Sequence, residues 1–304
     1  MMTNEEEHLT DEMIARAQRL VPMIRERARE AEQRRCVHPE TIREIERAGL
    51  LQMLVPKKYG GMGLGLRALC EVARVLAHGD SSTAWTVGFM IEHNWMACTL
   101  DLRVQEQLYA DRPFIRMAAP LIPDGKAERV KGGFRVSGKW RYASAVGNSD
   151  WVFVSSFVKE GGEDIVTCFL IPLSDVTVHD EWFMSGMAAT SSTNVSGKDV
   201  FVPEERSLIM DLFHTRNHPG AGHKESLYRY PILQSLFSMI AGMMVGSAEA
   251  VVELGRERLN VSAPWGIARI KRESSRIRQV KTRPEPSNTS IVSPTSRRRT
   301  SRIW

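Results

Sequence analysis

The sequence predicts an α+β protein in which helices come first, a compact β-region follows, and helix then returns. Three observations carry this. Between residues 11 and 34 apolar residues recur at spacings of three and four, and further helical patterns follow up to residue 99. Near residue 113 the pattern gives way to short runs of β-branched and aromatic residues cut by glycine pairs. From residue 227 a long, nearly uncharged helical pattern resumes.

Each element has its own reason. Residues 11–34 line up Met13, Ala17, Leu20, Ile24, Ala28 and Ala31 on one helical face and charges on the other, with Pro22 predicting a kink or break. Residues 39–48 predict a short helix with Pro39 in its first turn, Ile42 and Ile45 inward and Gly49 at its C-terminal cap. Pro56 and the run Tyr59, Gly60, Gly61, Met62, Gly63 predict a tight loop. Residues 66–78 and 82–99 are apolar on more than one side, which predicts buried helices. Strands are predicted at 134–136, 151–157, 166–171 and 200–202, punctuated by Gly132-Gly133, Gly147-Asn148 and Gly161-Gly162. Residues 215–226 read as a polar loop and 227–259 as helix. That helix carries no charge over 232–248 and has Gly242 and Gly246 four apart, so it reads either as a membrane span or as the central helix of a soluble bundle. The uncharged run is short for a membrane and contains Gln234, Ser235, Ser238 and Ser247, which favours the bundle. The domain reading is therefore helical over 1–112, β over 113–214, helical over 215–262, and a separate tail over 263–304.

Composition narrows the function classes. Cys36, Cys70, Cys98 and Cys168 lie far apart with no C-x-x-C pair, which suggests neither a zinc site nor a disulfide framework and makes a reducing cytoplasm the default. Asn4, Glu5, Glu6 and Glu7 make the N-terminus acidic where a secretory or transit peptide needs positive charge. The net charge of +5 comes from the tail: residues 263–304 hold 11 basic and 2 acidic residues, leaving 30 basic and 34 acidic residues elsewhere. A nucleic-acid footprint would have to lie in that tail, and nucleic acid is disfavoured as a partner. The tail has Pro264, Pro284, Pro286, Pro294, seven serines, the triplet Arg297-Arg298-Arg299 and no apolar period. It reads as a disordered extension or, because the change falls inside a helical pattern, as a frameshifted or aberrant terminus. On that reading the apolar residues of 227–259 lose their cover, which predicts poor solubility. His214, His218 and His223 sit in a Gly/Pro loop without a carboxylate pattern, so no metal is assigned. No Gly-rich strand-to-helix turn or Walker loop is present to hold a nicotinamide or nucleoside triphosphate.

Five motifs in order carry a resemblance. They are His38-Pro39-Glu40 through Ala48-Gly49-Leu50 with Val55-Pro56 and Tyr59-Gly60-Gly61; Gly79-Asp80-Ser81-Ser82-Thr83-Ala84-Trp85; Gly132-Gly133-Phe134-Arg135-Val136-Ser137-Gly138-Lys139-Trp140-Arg141-Tyr142-Ala143-Ser144; Asp150-Trp151; and Phe201-Val202-Pro203. Over about residues 10–260 the chain resembles the acyl-CoA dehydrogenase-like flavoproteins. The resemblance implies an N-terminal helical domain, a middle β-barrel-like domain, and a C-terminal helical bundle of which this chain holds the start, with flavin between the last two. Within the family, Trp85-Thr86-Val87-Gly88, His93, Trp95 and Trp140-Arg141-Tyr142-Ala143-Ser144 are similar to the two-component, group D flavin-dependent monooxygenases. The dehydrogenase branch needs a glutamate base; some members place it early in the helix from 227, which here has no acid between Ser226 and Ala248, and the other common position would lie beyond residue 263.

The resemblance implies the following roles. Ser144 lies near flavin N5, where it would hydrogen-bond the flavin and steady a C4a-hydroperoxide; from spacing alone it is equally a turn serine. His93 approaches the substrate phenol, where a group titrating near 7 suits deprotonating or orienting a hydroxyl; by its place on an apolar helix it reads as a core histidine. Trp85 packs near the isoalloxazine, and Ala118, Ala119, Pro120, Tyr142 and Ala143 hold the cofactor, although some relatives carry a serine in the 118–120 stretch. Thr190, Ser191 and Ser192 run near flavin and substrate or form a surface turn. The implied activity is hydroxylation of an aromatic or polycyclic substrate by O2 and reduced FMN or FAD, supplied by a separate flavin reductase to a cytoplasmic homotetramer with no membrane partner. The alternatives are an acyl-CoA dehydrogenase passing electrons to an electron-transfer flavoprotein, and an inactive remnant.

Overall fold

In the computed structural model, residues 3–215 and 217–261 are described. The tail expectations for 263–304 lie outside them. The chain divides into Met1–Glu253 and Leu254–Trp304, and the second part enters the description only as the end of the last helix.

The first helix, α1 (Asn4–Arg34), starts seven residues before the apolar pattern does. Thr3 and Glu6 form a reciprocal capping box, and Glu5, Glu6 and Glu7 sit in the first turn, where the exposed N–H groups favour negative charge. The acidic N-terminus is thus a helix start. Pro22 lies inside α1 without ending it, so the predicted break does not occur. The buried stripe Met13, Ala17, Ile24 and Ala31 spans the proline on both sides and holds the two halves on one core. Helix α2 (Pro39–Arg47) ends at Ala48, and Gly49 turns the chain with φ +76°. Helices α3 (Leu66–Ala77), α4 (Ser81–Ala97) and α5 (Leu102–Leu108) follow, the last unforeseen in the sequence because it is only two turns long.

Among the described residues eight strands make one mixed sheet: β1 (Met117–Ala118), β2 (Gly125–Val130), β3 (Gly133–Trp140), β4 (Trp151–Glu160), β5 (Glu163–Pro172), β6 (Thr177–Val178), β7 (Val195–Pro203) and β8 (Ser207–Ile209). The path runs β6-β7-β3-β2-β4-β5-β8, and β1, off this path, pairs in parallel with the start of β4. The strand run 151–154 is continuously apolar because both faces are covered. Val152, Val154, Phe169 and Ile171 pack on one side, and Phe153, Cys168 and Leu170 pack on the helical side. Trp140 is wholly buried and donates its indole N–H to Ser155 O at 2.8 Å, so it is core.

After the sheet, 3₁₀ turns lead to α6 (Ile232–Ser235) and α7 (Phe237–Val261). The stretch Ile232–Leu259 is long and apolar enough to cross a membrane by length and composition alone. Its G-x-x-x-G spacing has a packing reason: a Cβ on Gly242 would lie 2.2 Å from Cys70 O, and one on Gly246 1.9 Å from Arg74 O. Backbone meets backbone there, so α7 lies directly on α3. Cys70 Sγ donating to Ser238 O (3.0 Å), the Ser81–Ser247 hydroxyl pair (2.8 Å) and Arg74 donating to Glu249 (2.8 and 2.5 Å) run alongside.

Candidate active site

Helix α4 is where sequence motif becomes geometry. Asp80 caps it by accepting from Thr83 N (2.7 Å) and Thr83 Oγ1 (2.8 Å), which accounts for the Asp80-Ser81-Ser82-Thr83 part of the motif. Of its 17 residues 14 are buried, and the three that are not are Ser81, Trp85 and Phe89. They are spaced i, i+4, i+8, so the helix opens along a single stripe. His93 continues that stripe into the interior. Trp85 and Phe89 meet edge to face at 4.9 Å, and Phe89 and His93 lie 5.2 Å apart. Phe89 was absent from the sequence candidates, although its position one turn from both Trp85 and His93 was the available signal.

At the Trp85 end the indole N–H donates to Ser144 Oγ at 3.2 Å. Ser144 Oγ lies 2.8 Å from Ser192 Oγ, which lies 2.7 Å from Thr190 Oγ1, and Thr190 Oγ1 donates to Met187 O at 2.8 Å. Two loops make this cluster. They are joined by Ala143 N donating to Thr193 O and Ala145 N to Thr190 O, each at 2.9 Å, and by Gly147 N to Ser191 Oγ at 3.2 Å. Tyr142, Ala145, Met187 and Ser191 all have left-handed backbone (φ +61°, +69°, +57° and +49°). Such strain in non-glycine residues gathers at functional sites. Ala143 is buried at this junction, while the Tyr142 ring is exposed.

At the other end His93 Nδ1 sits 2.6 Å from Met117 O. A carbonyl only accepts, so Nδ1 carries the hydrogen and Nε2 keeps its lone pair. Burial pulls the imidazole down to about 4, against the Met117 carbonyl, which pulls it up. The expectation of a group titrating near 7 is corrected here: a fully enclosed ring is held neutral because water no longer stabilises its charge. Ala118 follows Met117 in β1, with Ala119 and Pro120 next, so the predicted cofactor stretch starts beside the carbonyl that holds His93. Asp150-Trp151 secures that place. Arg116 O accepts from Asp150 N (2.8 Å) and Trp151 N (3.1 Å), and the Asp150 carboxylate takes Arg116 at 2.7 and 3.1 Å and also Arg112. Burial pushes this carboxyl up, but the two guanidinium groups hold it below its ordinary range. The motif is therefore a clamp on the strand that positions His93. His214 and His223 pair with Gln234 (2.9 Å) and Gln105 (2.7 Å).

The site thus joins the helical layer to the mixed sheet through a strained serine cluster that meets the aromatic stripe at Trp85. Residues 3–103 match the family model "Acyl-CoA dehydrogenase, N-terminal domain". The chain is 32% identical over 253 residues to a pigment production hydroxylase of a Rhodococcus species, covering 81% of this chain and 65% of that one. It is similar to the crystal structure of the HsaA monooxygenase of Mycobacterium tuberculosis, a flavin-dependent monooxygenase oxygenase subunit: 30% identity, 80% of this chain and 68% of that chain covered, TM-score 0.75. The structure of XiaF from a Streptomyces species, solved with FADH2 and glycerol, matches at 28% identity with 86% and 67% covered and a TM-score of 0.79. The chain belongs to the acyl-CoA dehydrogenase-like flavoproteins, in their two-component flavin-dependent monooxygenase branch. It spans about two thirds of the length of these relatives.

Proposed function

We propose that this chain acts as the oxygenase component of a two-component monooxygenase that hydroxylates an aromatic substrate with O2 and reduced FMN or FAD. The observation that carries the proposal is the stripe on α4, with a hydroxyl cluster at its open end and a buried neutral imidazole at its closed end. An eight-residue offset puts about 12 Å of helix between Trp85 and His93, with the Phe89 ring between them as a face for an aromatic substrate to pack against. The residues fit a flavin. Trp85 offers a half-open indole, Ser144 a hydroxyl with unused acceptor capacity, and the loops carrying Tyr142 and Ala143 and the strand end at Ala118, Ala119 and Pro120 offer backbone groups.

When bound, reduced flavin supplies the activation of O2 and the transfer of one oxygen atom. The protein does the rest. Ser144 holds the flavin edge, and Trp85 and Phe89 wall the pocket against water. Nε2 of His93 accepts the hydrogen of a phenol and aims its ring. The reduced flavin arrives from a separate reductase, the assembly is a homotetramer as in the family, and its place is the cytoplasm. The dehydrogenase reading finds no free base among the described residues of α7, whose first acids, Glu249 and Glu253, are engaged with Arg74 and His78.

The test is incubation of the 304-residue chain with reduced FMN, ¹⁸O₂ and a panel of phenol, resorcinol and 4-hydroxyphenylacetate. One ¹⁸O atom in the product is expected. His93→Asn should cut product about 100-fold, as loss of such a group does, with hydrogen peroxide released instead. Absence of labelled product together with bleaching of oxidised flavin by an acyl-CoA would transfer the chain to the dehydrogenase branch.

A further inference from the structure

The serine cluster has a direction. A hydroxyl has one hydrogen to give. Thr190 gives its hydrogen to Met187 O (2.8 Å), which as a carbonyl can only accept. The 2.7 Å contact between Thr190 and Ser192 therefore requires Ser192 to donate. Ser192 has then spent its hydrogen, so the 2.8 Å contact with Ser144 requires Ser144 to donate. Trp85 Nε1 can only donate, and it does so to Ser144 at 3.2 Å. Every bond from Trp85 to Met187 thus points the same way. Ser144 is left with no free hydrogen and one unused lone pair: toward a ligand it can only accept.

That asymmetry matters at flavin N5. In reduced flavin N5 carries a hydrogen and donates; in oxidised flavin N5 has only a lone pair and accepts. We infer that Thr190 and Ser192 are positioning residues that fix the polarity of the Ser144 hydroxyl and so make the site select reduced over oxidised flavin. This rests on the proposed placement of Ser144 beside N5. Oxidised flavin would face Ser144 lone pair to lone pair unless the whole chain reversed, and reversal would leave Thr190 Oγ1 and Met187 O 2.8 Å apart with no hydrogen between them, although that carbonyl keeps Thr190 N at 3.2 Å and Trp182 Nε1 at 3.4 Å. The left-handed residues Met187 and Ser191 flank Thr190 and hold that carbonyl in position.

The experiment measures dissociation constants of the full chain for oxidised FMN by fluorescence and for reduced FMN by anaerobic titration. Thr190→Val and Ser192→Ala each release a hydrogen for Ser144 to offer. Each should lower the preference for reduced FMN about tenfold, the scale of one mismatched hydrogen bond, mainly through tighter oxidised binding. Bound-flavin midpoint potential should fall with it, by about 30 mV per tenfold for a two-electron couple. Thr190→Ser keeps the hydroxyl and should keep both the ratio and the potential. A ratio unchanged in both Thr190→Val and Ser192→Ala, while Ser144→Ala weakens reduced FMN, overturns the polarity argument alone. Ser144→Ala leaving both affinities unchanged, or no reduced FMN bound by the parent chain, overturns the placement of Ser144 and the inference with it.

Discussion

Replacing Gly246 by alanine tests the seat of α7. In an exposed helix this exchange stabilises by about 1 kcal/mol, because alanine loses less backbone freedom on folding. Here the new methyl would meet Arg74 O at 1.9 Å, and the atom in the way is backbone, which cannot swing aside. Restoring an ordinary carbon–oxygen contact of about 3.3 Å needs α7 to retreat by more than about 1 Å. Such a retreat loosens the Ser81–Ser247 pair and the Arg74–Glu249 contact on the same side. Overpacking of this kind costs about 1–3 kcal/mol, and the contact is severe enough for the upper end, so the net loss is about 2 kcal/mol. At about 2–4 °C per kcal/mol for a chain of this size, Tm falls by about 4–8 °C. Gly255 has nothing within 4 Å of its would-be Cβ, so Gly255→Ala should raise Tm by a few degrees. Calorimetry on both variants reads the two signs. If Gly246→Ala raised Tm as Gly255→Ala does, α7 would not rest on α3.

Two predictions concern pH. Glu92 is wholly buried with neither carboxylate oxygen partnered, and burial pushes it well above its ordinary 4.5. The fold therefore holds a proton that the unfolded chain gives up above about 4.5, so stability falls as pH rises; Glu92→Gln should outlast the parent in urea at pH 8 by at least about 1 kcal/mol, and the same gap at pH 5 and pH 8 would refute this. His93 works the other way. Its folded value of about 4 lies below the ordinary 6.5, so its contribution is present above 6.5 and lost as pH falls toward 4. The parent should lose up to about 3 kcal/mol more than His93→Asn across that window, and parallel pH profiles would show that His93 titrates normally.

Periodicity made most of the helices legible: α2, α3 and α4 lie within a residue or two of their apolar patterns, and the four predicted strands fall inside β3, β4, β5 and β7. What stayed hidden had no pattern to show. Strand β2 reads Gly-Lys-Ala-Glu-Arg-Val, too polar to announce itself, and it is a strand because β3 and β4 flank it. At the site, Trp85, Ser144 and His93 could be named because their motifs are local. Thr190 and Ser192 could be noticed but not assigned, since what they do depends on a loop more than forty residues from Ser144 folding beside it. His93's low titration range was equally invisible, because enclosure is a property of the fold and not of the residue.

Helix α4 has two working sides. One carries Trp85, Phe89 and His93; on the other, a Cβ at Gly88 would lie 2.6 Å from Met239 of α7. Helix α4, the wall of the pocket, therefore has the flexible thioether of Met239 packed close by, and it also rests on α3 and β1. For anyone wishing to broaden the range of rings this scaffold accepts, Met239 is the place to randomise first: trimming or swelling it tilts the wall from behind and leaves every group that meets the ring untouched.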